Sequence, residues 1–88
     1  MQTEAALQRA IIHALEQAGA YVVNVVVAGR SGTPDLVACY RSRFIALEVK
    51  LPKRKATPKQ EVELRLVERA GGVALVVRSV EEALAALP

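Results

Sequence analysis

With 88 residues the chain is expected to form one domain spanning 1–88, and a domain this short buries only about 60–65% of the surface its unfolded form exposes, so its core is thin. A composition that is 52% hydrophobic and 24% charged excludes disorder, while a single cysteine and a single histidine exclude an internal disulfide and a structural zinc centre. The net charge of +3 is too mild to indicate nucleic acid by itself, and the lack of a signal-like leader or an apolar run of about 18 residues points to a cytoplasmic protein that does not enter the membrane.

Residues 3–18 read as a helix. Thr3 is a suitable N-cap, Leu7, Ile11, Ala14, Leu15 and Ala18 recur at helical spacing, and Gly19 stops the run. His13 falls on the opposite, polar face and reads as a surface residue. The β-branched stretch 21–27, YVVNVVV, reads as a strand. It is apolar on both faces, with Tyr21, Val23, Val25 and Val27 on one and Val22 and Val26 on the other. Such a strand demands cover on both sides, and a short chain supplies few elements to do it.

A Gly-, Ser- and Pro-rich loop, AGRSGTP, follows. Residues 35–40 and 44–50 read as two strands joined by a tight turn at Arg41-Ser42-Arg43. Cys39, inside an apolar run, reads as a small core residue. The loop LPKRKA is basic. Thr57 caps a second helix, with Pro58 at its first position and Gln60 three residues after the cap, and that helix ends at Gly71-Gly72. Residues 73–77 form a fourth strand and 80–87 a last short helix. The order α-β-β-β-α-β-α predicts an α/β fold in which a hairpin runs into a β-α-β unit, giving a mixed sheet flanked by helices.

Strand alternation puts Phe44, Ala46, Glu48 and Lys50 on one face and Ile45, Leu47 and Val49 on the other. Glu48 and Lys50 therefore share a face at the end of an otherwise apolar strand. Asp35 starts the neighbouring strand, and antiparallel pairing brings it beside that end. Two carboxylates in one place repel unless a cation compensates. Lys50 is one candidate, and oxygen ligands without His or Cys suit Mg2+ or Mn2+ as another. The plainer alternative is a surface salt bridge. Glu4 lies on the apolar stripe of the first helix, where it serves either as a first-turn charge favoured by the helix dipole or as a member of the site. Gln60 shares a stripe with Leu64 and Val67 and points toward the sheet, although a capping box alone would account for it. Between Arg41 and Lys59, seven cations stand against the single acid Glu48, a local charge of +6. Lys53, Arg54, Lys55 and Lys59, together with Arg30, are the candidate contacts to a phosphate backbone, against the simpler reading of a solvated loop.

The series Gly32-Thr33-Pro34-Asp35-Leu36-Val37, then Ala46-Leu47-Glu48-Val49-Lys50, then Gln60 opening a helix, resembles the VRR-NUC family of PD-(D/E)XK nucleases. The likeness is to its short stand-alone members and runs from Glu4 to the last helix. It implies a restriction-endonuclease-like mixed sheet and a metal-dependent DNA endonuclease. Asp35, Glu48 and the Val49 carbonyl would be metal ligands, and Glu4 would reach the metal or its water. Lys50 would be the catalytic lysine and Gln60 a supporting residue. It also implies a homodimer acting on branched DNA, as Holliday junction resolvases do. Two other readings stand beside it: a catalytically idle DNA-binding module of the same fold, and a small structural protein bearing a salt-bridge cluster.

Overall fold

The computed structural model describes residues 1–88. Its elements are α1 (Glu4–Gln17), β1 (Tyr21–Asn24), β2 (Leu36–Tyr40), β3 (Arg43–Val49), α2 (Pro58–Arg69), β4 (Val73–Val77) and α3 (Val80–Ala85). The expected order and fold class hold. The strands make one four-stranded sheet in the order β1-β2-β3-β4, with β1–β2 and β2–β3 antiparallel and β3–β4 parallel.

Local chemistry explains the element ends. Thr3 Oγ1 accepts from the Ala6 N–H and caps α1. Thr57 and Gln60 form the full capping box at α2. The β2–β3 turn needs only Arg41 and Ser42, which both adopt positive φ (49° and 67°). That is the conformation of a two-residue hairpin turn, which ordinarily selects Asn-Gly. Gly32 is required by both conformation and space. Its φ is +79°, and a Cβ there would meet the Lys59 carbonyl group at 2.8 Å. The loop before β2 thus lies flush against the start of α2.

The core divides between the two sheet faces. On one, Leu36, Ala38, Ile45, Leu47, Val49 and Val77 pack against Leu7, Ile11 and Leu15 of α1 and Ala83 of α3. On the other, Ala46 and Ala74 meet Leu64, with Val37, Val67 and Val76 around them. At about 25 cal/mol per Å2 of apolar area, this aliphatic burial is what holds the layers together.

Two expectations need correction. The first strand stops at Asn24, three residues early. Val25 still donates to the Asp35 carbonyl at 2.8 Å, but Val26 and Val27 leave the sheet and are 84% and 89% exposed. Cys39 is exposed, not a core residue. Its face of β1 and β2 has no helix over it, because α2 packs on β3 and β4. Tyr21, Val23 and Phe44 are exposed on this same open face, aligned across the strands with Cys39 and Val37.

Candidate active site

Three strands, β1, β3 and β4, end at the same edge of the sheet, and β2 begins there. The first turn of α2 closes over this edge. In open α/β sheets, crevices at the carboxyl ends of strands are where ligands bind.

The register that pairs Leu36 with Leu47 sets Asp35 opposite Glu48. Asp35 is half-buried, and its Oδ2 accepts from the Val49 N–H at 2.9 Å. In extended backbone the N–H and C=O of one residue face the same side. The Val49 carbonyl is therefore directed toward Asp35, while the next N–H, that of Lys50, turns the other way to the Val77 carbonyl at 3.0 Å. Glu48 is 1% exposed. Lys50 Nζ lies 3.7 Å from its Oε2, and its Oε1 has no hydrogen-bond partner. A buried carboxylate oxygen with no donor is costly.

Burial, first, and then the charge of Asp35 push the Glu48 carboxyl up to about 8; Lys50 opposes this and Glu4 adds to it. Glu4, half-buried in the first turn of α1, thus acts on the site through its charge. No three acidic, His or Cys side chains converge closely enough to form a preassembled cage for an ion. The donors nevertheless suit a hard divalent cation. They comprise two opposed carboxylates, one with an unpartnered buried oxygen, and a carbonyl on the same side. A cation there would relieve both the repulsion and the orphaned oxygen.

The remaining predicted residues divide. Gln60 is half-buried in the first turn of α2, with its backbone against Gly32 of the loop before β2, and its Oε1 is committed to the Thr57 N–H at 2.8 Å, leaving only its amide NH2 uncommitted. Lys53, Arg54 and Lys55 lie exposed on the loop directly after Lys50, and Lys59 is exposed in the first turn of α2. The Leu51–Arg54 segment closes a turn through Arg54 N–H to the Leu51 carbonyl at 3.1 Å, with Pro52 second and Lys53 third at φ +74°. Arg30, counted above among the phosphate contacts, instead spends its guanidinium on Glu63. Nε and Nη2 donate to the two carboxylate oxygens at 2.8 and 3.0 Å, and this hydrogen bonding holds Glu63 below the usual carboxylate range.

Three structural contacts stand outside the expectations from the sequence. Arg78 donates to the Arg54 carbonyl at 2.7 Å and ties the basic loop to the end of β4; no pattern marks it. Glu63 was legible, because it shares the buried stripe of Gln60, Leu64 and Val67. The close approach of Gly32 to α2 is a purely tertiary fact.

The largest concavity is elsewhere. An open groove of about 540 Å3 runs between α2 and the sheet, walled by Val37, Phe44, Ala46, Leu66 and Val67, with Arg30 and Glu63 at its rim. Neither Asp35 nor Glu48 lines it. Its apolar walls carry no catalytic chemistry, so the acidic edge is the candidate active site.

A mixed sheet with an aspartate opening one strand and a Glu-x-Lys closing the next is the architecture of the PD-(D/E)XK nucleases. No family profile and no curated protein matches the chain by sequence. Among solved structures, one described as a VRR_NUC domain superposes with a TM-score of 0.80 at 28% identity, covering 93% of this chain and 90% of that one. The 1.6 Å structure of Hjc from Archaeoglobus fulgidus, a Holliday junction resolvase from an archaeal hyperthermophile, superposes with a TM-score of 0.67 at 26% identity, covering 85% of this chain and 67% of that one. The likeness to VRR-NUC nucleases read from the motifs extends to the fold. No helix is long and apolar enough to cross a membrane.

Proposed function

We propose that this protein is a metal-dependent, structure-selective DNA endonuclease that hydrolyses phosphodiester bonds in branched DNA in the cytoplasm. The observation that carries the reading is the opposed Asp35–Glu48 pair, with a buried, unpartnered Glu48 oxygen and Lys50 beside it. Asp35, Glu48 and the Val49 carbonyl would hold Mg2+ or Mn2+, and Glu4 would orient water near it. When bound, the ion supplies polarisation of the scissile phosphate and acidification of water. Lys50 donates from Nζ to the attacking water and offsets the negative charge that builds on the phosphate. Gln60 steadies the mouth of the site with its free amide. Lys53, Arg54, Lys55 and Lys59 grip the backbone entering it.

The protein works as a homodimer. The support is the open face of β1 and β2 with Tyr21 and Val23 exposed, running through exposed Phe44 of β3 into the apolar groove and exposed Leu66. Monomeric proteins rarely leave such a patch uncovered. Two-fold pairing would oppose two active sites, as symmetric nicking of a four-way junction requires.

The test is incubation with linear, flapped and four-way DNA in Mg2+, Mn2+ or EDTA. Cleavage of branched DNA in either metal and none in EDTA is expected, with a scattering mass of about 19 kDa, twice the 9.5 kDa chain. Metal-independent cutting, or binding with no cutting under any condition, would overturn the enzymatic reading. The second outcome would leave an idle DNA-binding module.

A further inference from the structure

The loop joining β1 to β2 carries a feature that the catalytic reading does not use. Loop tips are normally polar, yet Val26 and Val27 are 84% and 89% exposed, and they leave the sheet at the edge that holds the acidic pair. The residue before them, Val25, is hydrogen-bonded to the main-chain carbonyl of Asp35 at 2.8 Å. The tip is therefore anchored to a candidate catalytic residue itself.

The far side of the loop is braced four times over. Arg30 is forked onto Glu63 of α2, its carbonyl accepts from Thr33 Oγ1 at 2.7 Å, Gly32 abuts the Lys59 and Gln60 backbone, and Pro34 is buried. These ties leave Val26, Val27, Ala28 and Gly29 as a short apolar prow on a fixed base. Beyond the tip, Arg30 and Ser31 line one shallow depression with Lys59 and Glu63 of α2.

We infer that Val26 and Val27 form a wedge that enters the base stack at the branch of the DNA and opens the step next to the scissile phosphate. Apolar side chains inserted between base steps unstack and kink a duplex. Lys53, Arg54 and Lys55 follow the end of β3 and Lys59 opens α2, at the same end of the sheet as this loop, and these cations provide the charge complementarity for a phosphate backbone passing the apolar tip. Arg30 then acts as a positioning residue, holding the loop through Glu63. Branch selectivity follows, because unstacking costs least where the stack is already interrupted. The inference rests on the nuclease reading for its location but not for its test.

The probe is a four-way junction with 2-aminopurine beside the branch, in EDTA at saturating protein. Wild type should raise the emission roughly threefold, as an unstacked base does. The double variant Val26→Ser, Val27→Ser should bind without that rise. In Mg2+ or Mn2+ it should cut the paired junction about tenfold more slowly, yet cut a junction with two unpaired nucleotides at the branch within about twofold of wild type. Its melting temperature and scattering mass should be unchanged, since both valines are exposed. Emission and cutting equal to wild type would overturn the wedge while leaving the nuclease standing. A halved mass would reassign the tip to contact with a second copy and also overturn it. Emission that rises with wild type and not with the variant, without any cutting, would retain the wedge and sink the nuclease.

Discussion

Strands β3 and β4 lie between helices on both faces, whereas β1 and β2 are covered on one face only. The covered half has the regularity of a protein interior: Ile45 to Val49 are buried without a break. The open half alternates, with Leu36 and Ala38 buried and Tyr21, Val23 and Cys39 in solvent. The candidate active site straddles the boundary. Asp35 comes from the open half and Glu48 from the covered half, and this asymmetry decides their environments. The same carboxylate chemistry that is half in water at Asp35 is sealed from it at Glu48, and the buried member is the one whose proton is held to about 8. A pair of carboxylates with one member buried resists double ionisation until a cation arrives.

The sharpest way to break this comparison is catalytic. Lys50→Ala is expected to reduce cleavage by roughly three orders of magnitude while leaving metal binding intact, because an ammonium is not a metal ligand. Asp35→Ala and Glu48→Ala should lose both, as read by junction cutting and by metal titration calorimetry. Wild-type cutting by the Lys50 variant would reduce the lysine to a salt-bridge partner.

A stability comparison follows. Leu47→Ala, wholly buried in the covered half, should cost about 3 kcal/mol in denaturant unfolding, whereas Val23→Ala in the open half should cost under about 1 kcal/mol at concentrations where the protein is monomeric. Equal costs would mean that the open face is covered in solution even by the single chain.

The basic loop joins the covered half directly. Neutralising Lys53, Arg54 and Lys55 together should weaken binding to every DNA alike and lower the salt slope by about 2 to 3. An unchanged slope would show these side chains to be only solvated.

The smallest effect is the pH dependence of the metal-free protein. An unfolded Glu48 releases its proton near the ordinary 4.5, while the folded one keeps it to about 8. The folded state therefore holds more protons between these values. The contribution of Glu48 is fully present below 4.5 and is lost as pH rises through 8. In EDTA the melting temperature should fall by a few degrees across that window, and Glu48→Gln should flatten the fall. A wild-type melting temperature that rises across the window would contradict the buried, proton-holding glutamate.

Much of this molecule follows from short-range rules. Spacing and caps located all seven elements, because Thr3, Thr57 and Gln60 act on backbone groups only a few residues away. Strand alternation put Glu48 and Lys50 on one face, and hairpin pairing put Asp35 beside them, since both are properties of the local chain. What the sequence did not disclose depends on contacts between distant segments. YVVNVVV has the composition of a full strand, but its last residues have no partner to pair with once β2 begins at Leu36. Cys39 sits in an apolar run, but whether that face is covered depends on where α2 docks. Arg30 looks like a phosphate contact until α2 brings Glu63 to it from 33 residues away. The burial that raises the Glu48 proton affinity likewise requires the helix layers on both sides of β3. The residue types and their order along each strand were thus determined by the sequence alone. Which of them meet water, a partner charge or each other was decided by the assembled layers, because burial and pairing are properties of surfaces that exist only after the chain has folded.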